Sequence, residues 1–415
     1  MRHHTADGAG LRRVAVHGEA RRHHEGANDG ERPGGLAQGR GQPRALFLTG
    51  ATGFLGAYLL DELLRQTEAT IYCLVRAANE EAAQERLRSQ LQSYGLWQES
   101  VWSERIIPVV GDLAAPRLGL SAAGFADLAE RIDGIYHNAA WVNALYPYER
   151  LRVANVLGTQ EVIRLAALGH TKPLHYISTL AIFLSDSHTD QLVDETRQPR
   201  FDPTLKGGYK QSKWVAEALV REAGARGLPV AIYRPGRVLG HSQSGVNGNL
   251  HDLLCKVWKG CVQLGLFPSV ATQVDLTPVD YVSRGIVQLS RRPVDTPGRV
   301  FHFCHSQPME WVALMEAIGA LGYGLTAVPY TEWVAAVNAA ATQQPKNQLY
   351  QQLRLLLRAP IYLFAQAKPR FSGRATEAAL TPLRCPAIDR RLLSTYFAWF
   401  QQTGHLPTPE KANLL

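Results

Sequence analysis

The chain has 415 residues, 46% apolar and 19% charged, enough for one large or two modest hydrophobic cores. Its formal charge of +8 sits partly in the first 44 residues, where eight arginines face five acids, a net +3; the other +5 is spread too thinly to point to nucleic acid. Five scattered cysteines without a CxxC pair argue for a reduced, cytoplasmic chain with no metal site, and no apolar run approaches the roughly 18 residues needed to span a bilayer.

Residues 1–44 hold nine glycines, eight arginines and five histidines with hardly any apolar periodicity, the composition of a disordered basic tail and not of a secretory signal. The texture changes at residue 45. Short apolar runs follow at "RALFLTG" (44–50), "ATIYCLVR" (69–76), "RIIPVVGDL" (105–113), "GIYHNAA" (134–140), "PLHYISTLAIF" (173–183) and "PVAIYRPG" (229–236). Helix-length segments separate them, among them "AYLLDELLRQ" (57–66) and "ERLRVANVLGTQEVIRLAAL" (149–168). Strands apolar on both faces that alternate with helices predict a doubly wound parallel sheet of the Rossmann type. Beyond about residue 245 the alternation weakens. One more strand, "RVFHFCH" (299–305), is followed by mainly helical patterns at 309–321, 331–341, 347–359 and 389–404. The expected organisation is a tail over 1–44, a nucleotide-binding α/β domain over 45–285, and a smaller, mainly helical substrate-binding subdomain over 286–415. Ligands of such sheets bind in the crevice beyond the carboxyl ends of the strands.

"TGATGFLG" (49–56) ends the first strand and opens the first helix. Gly50, Gly53 and Gly56 are spaced GxxGxxG, with Thr52, Phe54 and Leu55 between them. Such a turn lets the backbone approach a pyrophosphate at a helix N-terminus. Arg76 ends the second strand, where a site preferring NAD carries an acid for the ribose 2′-hydroxyl. Arginine clamps a 2′-phosphate instead, so NADPH is the expected cofactor, with Arg86 as a second clamp or an ordinary helix-surface residue. Asp112 and Leu113 end the third strand, where Asp112 is placed to accept from an adenine amino group. Asn138, Ala139 and Ala140 end the fourth, and Pro235, Gly236 and Val238 follow a later one.

"GGYKQSKWVAEALV" (207–220) puts Tyr209 and Lys213 on one face of a helix, one turn apart. A nicotinamide site needs a proton donor for the oxygen formed when hydride arrives. An ammonium beside Tyr209 is expected to draw the phenol's pKa down from about 10 toward working pH, and Lys213 to hold the nicotinamide ribose. Thr179, from "YISTLAIF", is the candidate to hold the substrate carbonyl. Strand alternation turns its neighbour Ser178 to the opposite face.

These residues, with "WVNALYPYERLRVANVLGT", "YRPGRVLGHSQSGVNGNLHDLL" and "VDLTPVDYV", resemble the extended short-chain dehydrogenase/reductases. Within them the chain is similar to the thioester reductase domains that terminate nonribosomal peptide synthetases and carboxylic acid reductases, over about residues 45–408. The resemblance implies that a carrier protein presents an acyl or peptidyl group as a phosphopantetheine thioester. NADPH then reduces it, with Thr179 and Tyr209 stabilising the oxyanion, to an aldehyde that a second NADPH can take to the alcohol. Asn155 matches the family's "NVLGT" asparagine and is grouped with the cofactor site, as a positioner of water or lysine or as a helix cap. No carrier-type "GGHS" or "GGDS" serine is present, so the carrier is expected to act in trans. The cations of residues 331–374 (Lys346, Arg354, Arg358, Lys368, Arg370 and Arg374, against Glu332) are a candidate docking face for it. The alternatives are a fatty acyl-CoA reductase, a nucleotide-sugar epimerase or dehydratase, and a non-catalytic NADPH-binding regulator.

Overall fold

The computed structural model describes residues 43–99, 104–143, 145–250, 252–292, 299–357, 362–365 and 368–409. The disorder expected of residues 1–42, and Arg358, lie outside the described residues. Arg44 belongs to the fold: its N–H and that of Ala45 donate to Asp133 Oδ2 at 2.7 and 2.9 Å, which starts the first strand.

The α/β part runs β1 (Ala45–Thr49), α1 (Phe54–Gln66), β2 (Thr70–Val75), α2 (Glu80–Ser93), β3 (Ile106–Val110), α3 (Ala122–Arg131), β4 (Gly134–His137). It continues with α4 (Tyr148–Arg152), a π-turn (Val153–Leu157), α5 (Gly158–Ala167), β5 (Leu174–Ile177), α6 (Gly208–Ala225) and β6 (Val230–Pro235). Then come α7 (Leu253–Leu264), α8 (Val279–Ser290), β7 (Arg299–Phe303), α9 (Trp311–Gly319), α10 (Tyr330–Gln343), α11 (Gln348–Leu356), α12 (Arg374–Leu380) and α13 (Arg390–Gln402).

Seven strands form one parallel sheet in the order β7-β6-β5-β4-β1-β2-β3. β4, β5 and β6 are buried at every residue because helices cover both faces. Leu59, Leu63, Leu87, Leu91 and Ile286 of α1, α2 and α8 pack on one side. Phe125, Leu128, Val162, Leu165, Ala216 and Val220 of α3, α5 and α6 pack on the other. The strand order reverses between β1 and β4, where a doubly wound sheet opens its crevice.

A second core gathers Trp258, Trp311, Trp333, Phe397 and Phe400 from α7, α9, α10 and α13. The two cores interleave along the chain. α7, before residue 285, builds the second core, whereas β7, after it, pairs with β6 along the main sheet. Two-residue ladders, Val238–Leu239 with Thr277–Pro278 and Leu192–Val193 with Arg370–Phe371, tie the loops of one part to the other. All five cysteines are free thiols, four of them buried. No described helix is long and apolar enough to cross a membrane.

Candidate active site

The turn after β1 is built by close approach. Gly50 has φ +78°, and a Cβ there would lie 2.8 Å from the Ala139 nitrogen. A Cβ on Gly56 would lie 1.8 Å from the Gly50 oxygen, so only glycine lets α1 seat under the turn. α1 begins at Gly53 without a side-chain cap and with no acid in its first turn. Its leading N–H groups are thus left for an anion, which is the cradle a dinucleotide diphosphate requires.

This turn opens into a cavity of about 1370 Å³. Gly50, Thr52, Gly53, Phe54, Leu55, Arg76, Arg86, Asp112, Leu113, Asn138, Ala139, Ala140, Pro235, Gly236 and Val238 all line it. Gly56 does not; it lies beneath the turn. Arg86 donates through Nη1 to the Arg76 backbone carbonyl at 2.7 Å, and both exposed arginines line the cavity. Asp112 Oδ1 accepts from the Ala114 N–H at 2.9 Å.

Two glycines aim Tyr209. Gly207 has φ +95°, and a Cβ on Gly208 would lie 2.4 Å from the Tyr146 oxygen, so α6 starts hard against the 146–148 backbone. Tyr209 and Lys213 both line the cavity. Lys213 Nζ donates to the Ile177 carbonyl at 2.7 Å and lies 4.2 Å from the centre of the Tyr176 ring. Thr179 lines the same cavity beside the Tyr209 hydroxyl, and its Oγ1 accepts from the Ala181 N–H at 3.1 Å. Ser178 turns the other way and donates to Glu217 Oε2 at 2.6 Å.

The electrostatics reverse one expectation. Burial pushes the Tyr209 phenol up to about 12, and the neighbouring Thr179 hydroxyl pulls only partly against it. Burial pushes Lys213 down to about 7. Lys213 spends its ammonium on a strand carbonyl in a dry site, so loss of hydration outweighs its attraction for a phenolate. At neutral pH Tyr209 therefore holds its proton.

Asn155 departs from its place among the cofactor contacts. It is buried in the π-turn and does not line the cavity. Its Oδ1 accepts from the Trp141 N–H at 2.6 Å, while Nδ2 donates to the Trp141 carbonyl at 3.1 Å and to Ser212 Oγ at 2.9 Å. Ser212 in turn donates to the Tyr209 carbonyl at 2.8 Å. Asn155 acts as a backbone clamp between the β4 loop and α6.

Other residues of the site are not legible in the sequence. Glu217, one turn beyond Lys213, pairs with Arg234 through Nη2 at 2.6 Å and Nε at 3.1 Å, both fully buried. The far wall of the cavity carries Arg237, Asp275, His305 and Lys368. Asp275 Oδ1 accepts from the His305 N–H at 2.9 Å, and Lys368 Nζ donates to the Gln273 carbonyl at 2.6 Å. Burial first, then the Arg237 charge, lower Lys368 to about 8. Arg237 and Asp275 stand inside "YRPGR" and "VDLTPVD", so position in a motif was the signal available for them. The cations of 331–374 do not share one element: Lys368 and Arg370 line the cavity, Arg354 sits on α11, and Arg374 opens α12. Among the described residues no cluster of three or more His, Cys, Asp or Glu is placed to hold a metal ion.

A family model described as male sterility protein, an NAD-binding family, matches residues 48–286. The chain is 42% identical over 376 residues to a linear gramicidin synthase of Brevibacillus parabrevis, covering 88% of this chain and 7% of that protein. It therefore spans only a small part of that synthase's length. The terminal R domain of the myxalamid PKS-NRPS pathway is 45% identical, with a TM-score of 0.84 over 89% of this chain and 93% of that one. A thiolation-reductase di-domain from an archaeal nonribosomal peptide synthetase is 26% identical, with a TM-score of 0.70 over 88% and 77%. The chain belongs to the NAD-binding male sterility protein family of extended short-chain dehydrogenase/reductases, as a reductase domain of the nonribosomal peptide synthetase type.

Proposed function

We propose that this domain reduces an acyl or peptidyl thioester, carried on a phosphopantetheine arm, to an aldehyde with NADPH. The observation that carries the reading is that two hydroxyls, Thr179 and Tyr209, line with Lys213 the same cavity that begins at the glycine cradle. The cradle of Gly50, Gly53 and the α1 N-terminus fits a dinucleotide diphosphate, and Arg76 with Arg86 favours the 2′-phosphate of NADPH over NADH.

The bound dihydronicotinamide would supply hydride to the thioester carbon. Thr179 and Tyr209 donate hydrogen bonds to the carbonyl oxygen as negative charge develops on it. Tyr209, protonated at neutral pH, has a proton to give, and Lys213 anchors its helix to β5 through the Ile177 carbonyl. Collapse of the tetrahedral adduct breaks the carbon–sulfur bond, so one hydride and one proton yield aldehyde and free thiol. A second round on the aldehyde would give the alcohol. The carrier partner is supported by the thiolation domain joined to the reductase in the archaeal di-domain. Buried free thiols suit the reducing cytoplasm, where we place the reaction.

The test is NADPH oxidation with an acylated carrier protein, an acyl-CoA and a UDP-sugar as substrates. Turnover of the carrier-bound thioester is expected, with aldehyde identified by mass spectrometry. Tyr209→Phe is expected to lower kcat by about 10²–10⁴-fold while NADPH binding persists. Turnover confined to the UDP-sugar overturns the reading, and equal affinity for NADH and NADPH overturns the assignment of Arg76.

A further inference from the structure

Among the described residues eight large apolar side chains are exposed, and four of them fall between residues 141 and 153. Trp141 is 43% exposed, Val142 67%, Leu145 63% and Val153 40%. A soluble surface rarely gathers such groups without a partner for them.

The segment's described residues are tied to the fold and to one another by hydrogen bonds. Asn155 clamps both backbone groups of Trp141. Asn143 Oδ1 accepts from the N–H groups of Leu145 and Tyr146 at 2.9 and 3.0 Å. The Trp141 and Tyr146 rings meet edge to face at 5.4 Å, and the Arg150 guanidinium lies 3.7 Å from the Tyr146 ring centre and 5.4 Å from that of Trp141. This apolar surface is therefore held outward before anything binds to it.

Its position says what covers it. Trp141 and Val142 line the cavity that contains Tyr209, so the patch continues the wall of the mouth. Leu145 and Val153 are exposed outside that lining. A small thioester inside the cavity has no reason to reach them, whereas a macromolecule delivering the thioester must rest against them. Two exposed arginines, Arg150 and Arg152, follow the exposed Glu149 there, leaving a net positive edge beside the apolar surface. That edge complements the single negative charge of a phosphodiester.

Resting on the thioester reading above, we propose that Trp141, Val142, Leu145 and Val153, with Arg150, form a preset docking lip for the carrier protein, which seats its body on the lip while the arm enters the cavity. The apolar residues supply the contact area, and Arg150 faces the phosphate at the root of the arm.

Leu145→Glu and Arg150→Glu change exposed side chains outside the cavity. Each is expected to lower kcat/KM for an acylated carrier protein about tenfold, through KM, the loss of one interface anchor. Turnover of the same acyl group on N-acetylcysteamine is expected to stay within about twofold, the scatter of a surface change. Arg354→Glu, on α11, is expected to alter neither. Equal losses on both substrates, or no loss on the carrier, overturn the lip. A carrier-specific loss in Arg354→Glu with none in the lip variants overturns it in favour of the helical side. Reduction of neither substrate by the parent enzyme overturns the thioester reading and the lip with it.

Discussion

Lys213 brings a charge into a site with little water, and its depressed pKa measures what that costs the fold. Burial lowers the group from an ordinary 10.5 to about 7 in the native state. Between those values the unfolded chain holds a proton that the folded chain does not. The destabilisation is therefore complete below about pH 7 and is relieved as the pH rises toward the ordinary lysine range. Lys213→Met removes it. Thermal unfolding of the cofactor-free enzyme is expected to favour the variant over its parent more at pH 6 than at pH 9. A pH-independent difference would show that Lys213 is charged throughout. Tyr209 is the opposite case: its phenol, pushed up to about 12, stays neutral across the same interval, so this hydroxyl does not change form with the lysine.

The elements bring these side chains together through their ends. α6 carries Tyr209 in its first turn, and the angle of that turn depends on Gly207 and Gly208 rather than on a capping side chain. A methyl at Gly208 meets the Tyr146 oxygen and the Pro147 carbonyl carbon within 2.5 Å, both backbone, so the helix start has to move. Gly208→Ala is expected to lower kcat by about 10²-fold, the cost of an ångström-scale misplacement, while the dissociation constant for NADPH changes little. Stopped-flow turnover and fluorescence titration check the two halves. The π-turn of Val153–Leu157 works in the same way from the other side. It places Asn155 where its one side chain reaches both the Trp141 backbone and Ser212 on α6, a use such bulges often serve. Residue order alone leaves Asn155 between cap and positioner because a π-turn has no residue signature of its own.

Across the whole molecule one buried polar network joins parts distant in the chain. Glu217 on α6 accepts from Ser178 after β5 and from Arg234 on β6. Arg234 Nη1 donates to His302 Nε2 on β7 at 3.0 Å, and the His302 backbone N–H donates to Thr376 Oγ1 of α12 at 2.9 Å. Thr376 in turn donates to Glu195. Burial alone raises the Glu217 carboxyl, but the Arg234 charge and the hydrogen bonds of Arg234 and Ser178 hold it below the usual carboxylate range. Burial and the Arg234 charge hold His302 near 3, a neutral ring that accepts on one nitrogen and donates from the other to the Ser372 carbonyl. Glu217→Ala leaves Arg234 buried without its partner and is expected to lower stability by about 3–5 kcal/mol, measured by urea unfolding. A change below about 1 kcal/mol, the scale of an exposed pair, would show that water reaches the gap.

What the residues alone determined is short in range. Helical pitch brings Tyr209 over Lys213, and the close approach of strand, turn and helix demands glycine at 50 and 56. Strands apolar on both faces require a sheet covered twice. These follow from geometry within a few residues, so they are legible wherever the residues are. The pKa values of Tyr209 and Lys213, the clamp at Asn155, the far wall of Asp275, His305 and Lys368, and the outward face of Trp141 to Val153 were decided only by the tertiary structure. Each depends on which distant segments exclude water from a group or leave it exposed, and burial is a property of the packed chain rather than of any stretch within it.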